Sequence, residues 1–374
     1  MLIRANACVF HAAAVFAAAA IERRTTERVL TGIKLAAQDG RLTLTATDLD
    51  MEVNLDLDVE VEGSGVAVVD GHRLRRLLDA IRKADAGAVV SLTADAEGAV
   101  LSWGDGAGSN STARLVDLGA EDFPSLAHKP TAEHQMPAGH LLDLLARVAP
   151  CVSTEETRYY LNGVYLHARA GRLAAAATDG HRLAVTSAPR PVAAGWPALI
   201  LPSKAVGWIT KALRRLDPEV EVTLAASDTK LALTWPGVRL VAKAIDGTFP
   251  DYGQVIPAGG MSCTVERAAL LRALRLLAAF SERGGRHYVR LDIGENRVTL
   301  TASDHDEGNI STSIPTDYAG PKIVRAFQRE YLQGMAMMLR SPFLTISGED
   351  QSAPHRIESA ADPDFLSILM PCRV

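Results

Sequence analysis

The strongest constraint on this chain is self-similarity at a long period. Residues 41–50 read RLTLTATDLD, residues 172–181 read RLAAAATDGH, and residues 297–306 read RVTLTASDHD. Each begins with a basic residue, alternates apolar positions as a strand does, and reaches Ala-Thr/Ser-Asp. The aspartates, Asp48, Asp179 and Asp304, lie 131 and 125 residues apart, close to one third of the 374 residues, so three copies fill the chain. A Phe-Pro or Phe-Leu turn ends each copy, at Phe123-Pro124, Phe249-Pro250 and Phe365-Leu366. Matching strand-turn pairs, GIKLAAQDG (32–40) and GVYLHARAG (163–171), precede the marker in the first two copies. The repeat sets three domains at 1–128, 129–257 and 258–374, with linkers near 127–135 and 253–262.

Two helices recur in every copy. The opening one is HLLDLLARV (140–148) in the second copy, with Leu141, Leu145 and Val148 at helical spacing. In the third it is RAALLRALRLLAAF (267–280), with Leu270, Leu274 and Leu277 on one face. By position, CVFHAAAVFAAAAI (8–21) is the first copy's version. That stretch resembles the apolar centre of a secretory signal, but His11 interrupts it, and a single basic residue, Arg4, precedes it. The mid-copy helix is DGHRLRRLLDAIRKA (70–84) in the first copy. Leu74, Leu77, Leu78 and Ile81 form its stripe, and Arg73, Arg76 and Lys83 lie away from it. Its counterparts are PSKAVGWITKALRRL (202–216), where Lys204, Lys211 and Arg215 share a face, and RAFQREYLQGMAMML (325–339), with Arg325 and Arg329 against Glu330. The remaining segments alternate with period two between Gly, Asp or Asn turns, as in SLTADAEGAVLSW (91–103). Each copy is therefore expected to pack two helices on antiparallel sheet, an α+β fold.

Charge decides less by its sum than by its distribution. With 39 basic and 44 acidic side chains the net charge is −5, and aromatic residues make up 5%. Those figures exclude a protein that grips nucleic acid by net charge or by a stacking platform. Yet basic residues gather on equivalent helices, while acidic ones populate strands and turns, as in DMEVNLDLDVEVEG (50–63). Such segregation gives one surface a positive field suited to loose phosphate contact without sequence reading, which a closed ring would make useful by retaining DNA topologically. The cysteines, Cys8, Cys151, Cys263 and Cys372, form no C-x-x-C pair, which speaks against a zinc ribbon and suits a reducing cytosol.

No constellation supports catalysis. The chain has no G-x-S-x-G and no H-E-x-x-H, and its ten histidines show no metal-ligand spacing. Gly104, Gly106 and Gly108 follow a strand but lead into SNSTARL, so a hairpin connection is expected rather than a phosphate loop. Asp48, Asp50 and Glu52 alternate so as to share one strand face, an acidic set that a metal-dependent nuclease would use. Against that, the other copies keep only the first Asp, which reads as a turn-former bonding nearby amides.

Six motifs resemble the bacterial sliding clamps, the beta subunits of DNA polymerase III: TDLDMEV (47–53), EDFPSL (121–126), TRYYLNGVYL (157–166), ATDGHRLAV (177–185), DGTFPDY (246–252) and LMPCRV (369–374). The resemblance runs along the whole chain. It implies three tandem clamp domains in a head-to-tail homodimer, a ring with helices around duplex DNA and sheets outside that continue across the subunit interfaces. It implies a cytoplasmic, non-catalytic processivity factor without cofactor or metal. The implied partners are double-stranded DNA, the polymerase III catalytic subunit, the clamp loader, other polymerases and repair proteins carrying short linear motifs, and a second copy of the chain.

Carried over by motif, the partner-peptide pocket comprises Leu161, Thr178, Gly180, His181, Arg182, Leu183, Pro250, Val255, Leu369, Met370, Pro371 and Arg373. The DNA-facing residues are Arg24, Arg73, Tyr159, Tyr160 and Lys204, and the dimer edge involves Ala113, Ala279 and Phe280. The chain departs from the family at RRTTERVL (23–30), at Gln254 where some relatives are basic, and at Ala113 where a bulky apolar residue is common. Those departures leave a diverged clamp paralogue with a repair or resistance role as the alternative, with the nuclease a remoter one.

Overall fold

The computed structural model describes residues 1–22, 25–95, 98–104, 110–280, 288–304 and 308–372. The first copy runs β1 (Leu2–Asn6), α1 (Ala7–Ala17), β2 (Gly32–Gln38), β3 (Arg41–Thr47), β4 (Met51–Leu57), β5 (Glu60–Glu62), β6 (Gly65–Asp70), α2 (Gly71–Ala84), β7 (Val89–Asp95), β8 (Gly98–Gly104) and β9 (Asn110–Val116). The second runs β10 (Ala132–Pro137), α3 (Ala138–Ala146), β11 (Gly163–Arg169), β12 (Arg172–Thr178), β13 (Arg182–Pro191), β14 (Leu199–Pro202), α4 (Ser203–Leu213), β15 (Glu221–Ala226), β16 (Lys230–Trp235) and β17 (Val238–Lys243). The third runs β18 (Met261–Glu266), α5 (Arg267–Phe280), β19 (Tyr288–Gly294), β20 (Arg297–Asp304), β21 (Gly308–Pro315), β22 (Ile323–Gln328), α6 (Arg329–Met338), β23 (Phe343–Gly348), β24 (His355–Glu358) and β25 (Phe365–Leu369). Apart from the short β5, the order is the same three times: strand, helix, four strands, helix, three strands.

The chain divides into two compact units, and the middle copy is shared between them. The first unit holds an antiparallel sheet β5-β1-β7-β8-β9 and a second of order β10-β15-β16-β17-β4-β3-β2-β6. The second unit holds β14-β11-β12-β13-β25-β24-β23-β18 and β21-β20-β19-β22. Each eight-stranded sheet is thus two four-stranded halves from successive copies. In the first unit the joint is β4 against β17, with Val53 opposite Leu240. In the second it is β13 against β25, with Ala184 opposite Ser367.

The helices form where the sequence period demands. Asp70 caps α2 by accepting from the Arg73 amide at 2.7 Å, and Leu74, Leu78 and Ile81 are buried at helical spacing. Asn6 caps α1 through the Cys8 amide at 2.9 Å, and Phe10, Ala14 and Ala17 are buried. α1 and α2 pack on each other, with α1 against β3 and β4. In the second unit α5 buries Leu270, Leu274 and Leu277 and packs on α6, β20 and β21. Each such Leu contributes about 1.5–3 kcal/mol by leaving water.

Two expectations need correction. The helix expected over 325–339 begins only at Arg329, because residues 323–328 alternate as strand β22 alongside β19. Arg325 is therefore no helix-face cation; it is 6% exposed, and its Nε donates to His355 Nε2 at 2.7 Å. Nor do Asp48, Asp50 and Glu52 share a strand face, since β4 starts at Met51 and Asp48 and Asp50 belong to the turn before it.

Candidate partner-binding groove

The groove starts from a turn that ties itself. Between β12 and β13, Asp179 Oδ1 accepts from the amides of His181 and Arg182, each at 3.0 Å. Thr178 Oγ1 donates to the Arg182 carbonyl at 2.8 Å and accepts from the Gly180 amide at 3.1 Å. Gly180 takes φ +86°, and a Cβ there would lie 2.4 Å from Arg158 Nη1, so glycine suits both the backbone and the space. Arg158 reaches across, donating through Nη2 to the Asp179 carbonyl at 3.2 Å and through Nε to Glu155 Oε2 at 2.8 Å. The first copy uses the same device: Asp48 Oδ1 accepts from the amides of Asp50 at 3.0 Å and Met51 at 2.7 Å.

The turn projects its side chains over an apolar floor. Leu161, Leu183, Phe249 and Ile368 are buried together, with Tyr160, Tyr165 and Tyr252 packed against them. Above them opens a groove of ≈ 260 Å³, and Leu161, Thr178, Gly180, His181, Arg182, Leu183, Pro250, Val255 and Met370 all line it. Val255 is 42% exposed, an apolar side chain left facing water at the rim. The charged side of the groove is braced from below. Arg182 Nε donates to Asp179 Oδ2 at 2.9 Å, and its guanidinium lies 4.4 Å from the Tyr331 ring. The Met370 amide donates to the His181 carbonyl at 2.8 Å, which fixes the C-terminal strand to the turn.

Not every expected member is there. Leu369 points away from the groove, fully buried opposite Arg182 and His355, because strand alternation turns its neighbour Ile368 to the groove instead. Pro371 is half-buried and outside the lining, and Arg373 lies beyond the described residues. Arg158, Asp251, Tyr252 and Ile368 join the lining without having been singled out. The motifs TRYYLNGVYL and DGTFPDY already contained the first three, and the fourth immediately precedes LMPCRV.

The other assignments scatter. Tyr160 lines the groove, whereas Tyr159 is 53% exposed beside it with ring centroids 5.9 Å apart. Arg73 on α2 and Lys204 on α4 are exposed, and Arg24 lies outside the described residues. Ala113 sits on edge strand β9, and Ala279 and Phe280 end α5, which packs on edge strand β21.

The acidic set is built into the fold rather than left for a metal. Glu52 is 3% exposed, and its two carboxylate oxygens accept from Asn54 Nδ2 at 3.0 Å and the Leu126 amide at 2.7 Å. Among the described residues no group of three His, Cys, Asp or Glu is arranged to hold a metal ion. Burial pushes the Cys151 and Cys263 thiols up to about 12, the opposite of an activated nucleophile. β8 and β9 pair as a hairpin, Gly104 opposite Asn110, and the intervening 105–109, with Gly106 and Gly108, lie outside the described residues.

Comparison with known proteins agrees along the whole chain. Sequence profiles of the DNA polymerase III beta subunit match residues 7–127 with the N-terminal domain, 135–251 with the central domain and 253–373 with the C-terminal domain. The beta sliding clamp of Caulobacter vibrioides is 32% identical over 362 residues, covering 95% of each chain. That of Pseudomonas putida is 27% identical, covering 96% of this chain and 95% of its own. A sliding clamp from Bartonella birtlesii, solved bound to griselimycin, superposes with a TM-score of 0.92 at 31% identity over the full length of both chains. One from Caulobacter crescentus gives 0.91 at 30% identity, again over both full lengths.

Proposed function

The chain belongs to the DNA polymerase III beta subunit family, the bacterial sliding clamps, and from that premise we propose which of its own residues close the ring, face the DNA and receive partners. As a member it is a non-catalytic clamp that tethers the polymerase for processive synthesis, with DNA, polymerase and clamp loader as partners.

Ring closure is carried by one observation, the pair of joints inside the chain. β4, β13 and β21 each follow the repeated aspartate, and β9, β17 and β25 each end a copy. β4 is joined to β17 and β13 to β25, while β21 and β9 remain edge strands. The third joint is then β21 of one protomer on β9 of its partner, which satisfies backbone groups that an exposed edge leaves unpaired. Registers carry over by equivalence. Ala46 and Ala302, each two residues before the repeated aspartate, face Val53 and Ile310. Leu233 and Leu101 face Leu240 and Ala113. Since Val53 sits opposite Leu240, Ile310 should sit opposite the partner subunit's Ala113. Ala279 and Phe280 would flank that seam.

For DNA, α2 exposes Arg73, Arg75, Arg76 and Lys83, and α4 exposes Lys204 and Lys211. These cations, with Tyr159 beside them in role, supply sequence-independent phosphate contact in an acidic chain. Partners, including other polymerases and repair proteins with short linear motifs, insert a peptide into the groove over Leu161, Leu183 and Ile368; griselimycin is expected to take the same place. Domain limits of 1–128, 129–257 and 258–374 and a cytoplasmic location complete the reading. The test is to load the protein on nicked circular DNA and then linearise it. A clamp slides off the ends, and retention unchanged by linearisation would sink the topological mechanism.

A further inference from the structure

β11 carries Tyr165 and His167 two residues apart, so strand alternation turns both rings to one face. There they stack, with centroids 4.5 Å apart and planes 14° apart. Phe249 stacks on Tyr165 at 4.7 Å and 5°, and Tyr252 meets His167 edge-on at 5.7 Å and 69°. The result is a file of four rings, Phe249–Tyr165–His167–Tyr252. Its outer members are the two ends of a single segment, 249–252. Phe249 belongs to the groove's apolar floor, and Tyr252 lines its wall together with Pro250 and Asp251. One strand thus grips the wall segment at both ends, and the far end has a directional bond: His167 Nε2 lies 2.7 Å from Tyr252 Oη.

We propose that His167 is a positioning residue for the partner groove, holding Tyr252, and through it the 250–252 wall, in the shape that receives an apolar peptide. The inference rests on the groove reading above. His167 has no place in the groove lining itself, so it acts on a ligand through its neighbours, and the directional contact is the one to Tyr252. The edge-on contact alone would leave the phenol free to slide across the imidazole. The hydrogen bond removes that freedom, and ordering a wall before the ligand arrives lowers the entropy lost on binding. Burial holds the imidazole's pKa down to about 4, so the ring is neutral near pH 7 and Nε2 meets the phenol without a charge that would draw water in.

The test is calorimetric titration of the full-length protein with griselimycin at pH 7.5. His167→Leu keeps bulk but loses the polar atom, and should weaken binding roughly five- to ten-fold, the worth of one directional bond. His167→Gln, which returns a polar atom near Nε2, should recover most of that loss. Tyr252→Phe should lose as much as His167→Leu, and the double variant His167→Leu/Tyr252→Phe should lose no more than either alone, because both remove the same bond. Removing Met370–Val374 separates the two readings. If the truncation abolishes binding while His167→Leu binds as the wild type does, only the role of His167 falls. If the truncation leaves griselimycin binding untouched, the groove reading falls and takes this role with it. Should His167→Leu fail to fold, Tyr252→Phe decides, since it removes a single oxygen; wild-type affinity there overturns the proposal.

Discussion

Arg147, just past the end of α3, places its guanidinium against the Asp362 carboxylate, Nη1 donating to Oδ1 at 3.1 Å, and over the Phe365 ring at 4.1 Å. Both partners are nearly buried, at 8% and 10% side-chain exposure, and Nη2 also donates to the Met338 carbonyl at 3.3 Å. Arg340 pairs with Asp143 alongside. The second copy's helix is thereby fastened to the third copy's final loop within one compact unit.

Breaking that pair from one side should be far worse than replacing both halves. Asp362→Ala leaves a buried cation unpaired and is expected to lower stability by about 3–5 kcal/mol. Arg147→Met with Asp362→Leu should return much of that loss. Denaturant unfolding of the three proteins checks this, and a double variant no better than Asp362→Ala would show that the pair itself, rather than the stranded charge, carries the stability.

The subunit seam has a predicted register. Ala113→Cys combined with Ile310→Cys, in a background lacking Cys8 and Cys372, should give a covalent dimer under mild oxidation, because directly opposed residues of antiparallel strands lie within disulfide reach. Ala113→Cys with Ser311→Cys, one step out of register and on the other face, should cross-link poorly. Denaturing gels distinguish the two, and equal yields would refute the register.

Acid should loosen the second unit. His355 is fully buried, and burial together with the neighbouring Arg325 guanidinium pulls its pKa from 6.5 down to about 4. The unfolded chain takes up this proton below about pH 6.5 while the folded chain resists until about pH 4. The stability tied to the neutral ring is therefore fully present above pH 6.5 and lost as pH falls through that window. The slope is at most about 1.4 kcal/mol per pH unit for one proton. His355→Gln keeps an acceptor for Arg325 and should flatten the curve measured from pH 7 to 4; an unchanged curve would mean that His355 is not the group responsible. His167, likewise lowered to about 4, adds in the same direction and remains in that variant.

The groove's turn is sensitive at Gly180. Gly180→Ala imposes a Cβ at φ +86° and displaces Arg158, and should lower stability by roughly 1–2 kcal/mol. Griselimycin affinity should drop with it, while the dimer, whose strands lie elsewhere, persists in light scattering across a dilution series. Undiminished affinity would show that the turn's shape does not govern the groove.

Much of this was legible in the residues. Triplication follows from a repeated strand and turn, and α2 and α5 follow from apolar spacing that only a helix satisfies. The self-tied turn is visible because Asp and Thr bond their own backbone, a purely local effect. What could not be read depends on distant partners. Arg325 looks like a helix-face cation until β19 recruits residues 323–328 as a strand. Glu52 looks like a ligand until the Leu126 amide, 74 residues away, occupies its oxygen. Tyr160 and Ile368 enter the groove because of how elements from different copies meet, which no local period encodes.

The joints β4·β17 and β13·β25 each tie two copies within one polypeptide. Either one, if it parted, would re-form at the high effective concentration that a shared backbone enforces, whatever the dilution of the protein. The proposed seam between β21 and the partner's β9 would have no such tether. A ring made of these chains therefore carries its doors at fixed addresses: a loader need not pry at random, since only the bimolecular seams can be held open, and the cell sets how readily they reclose simply by how much clamp it makes.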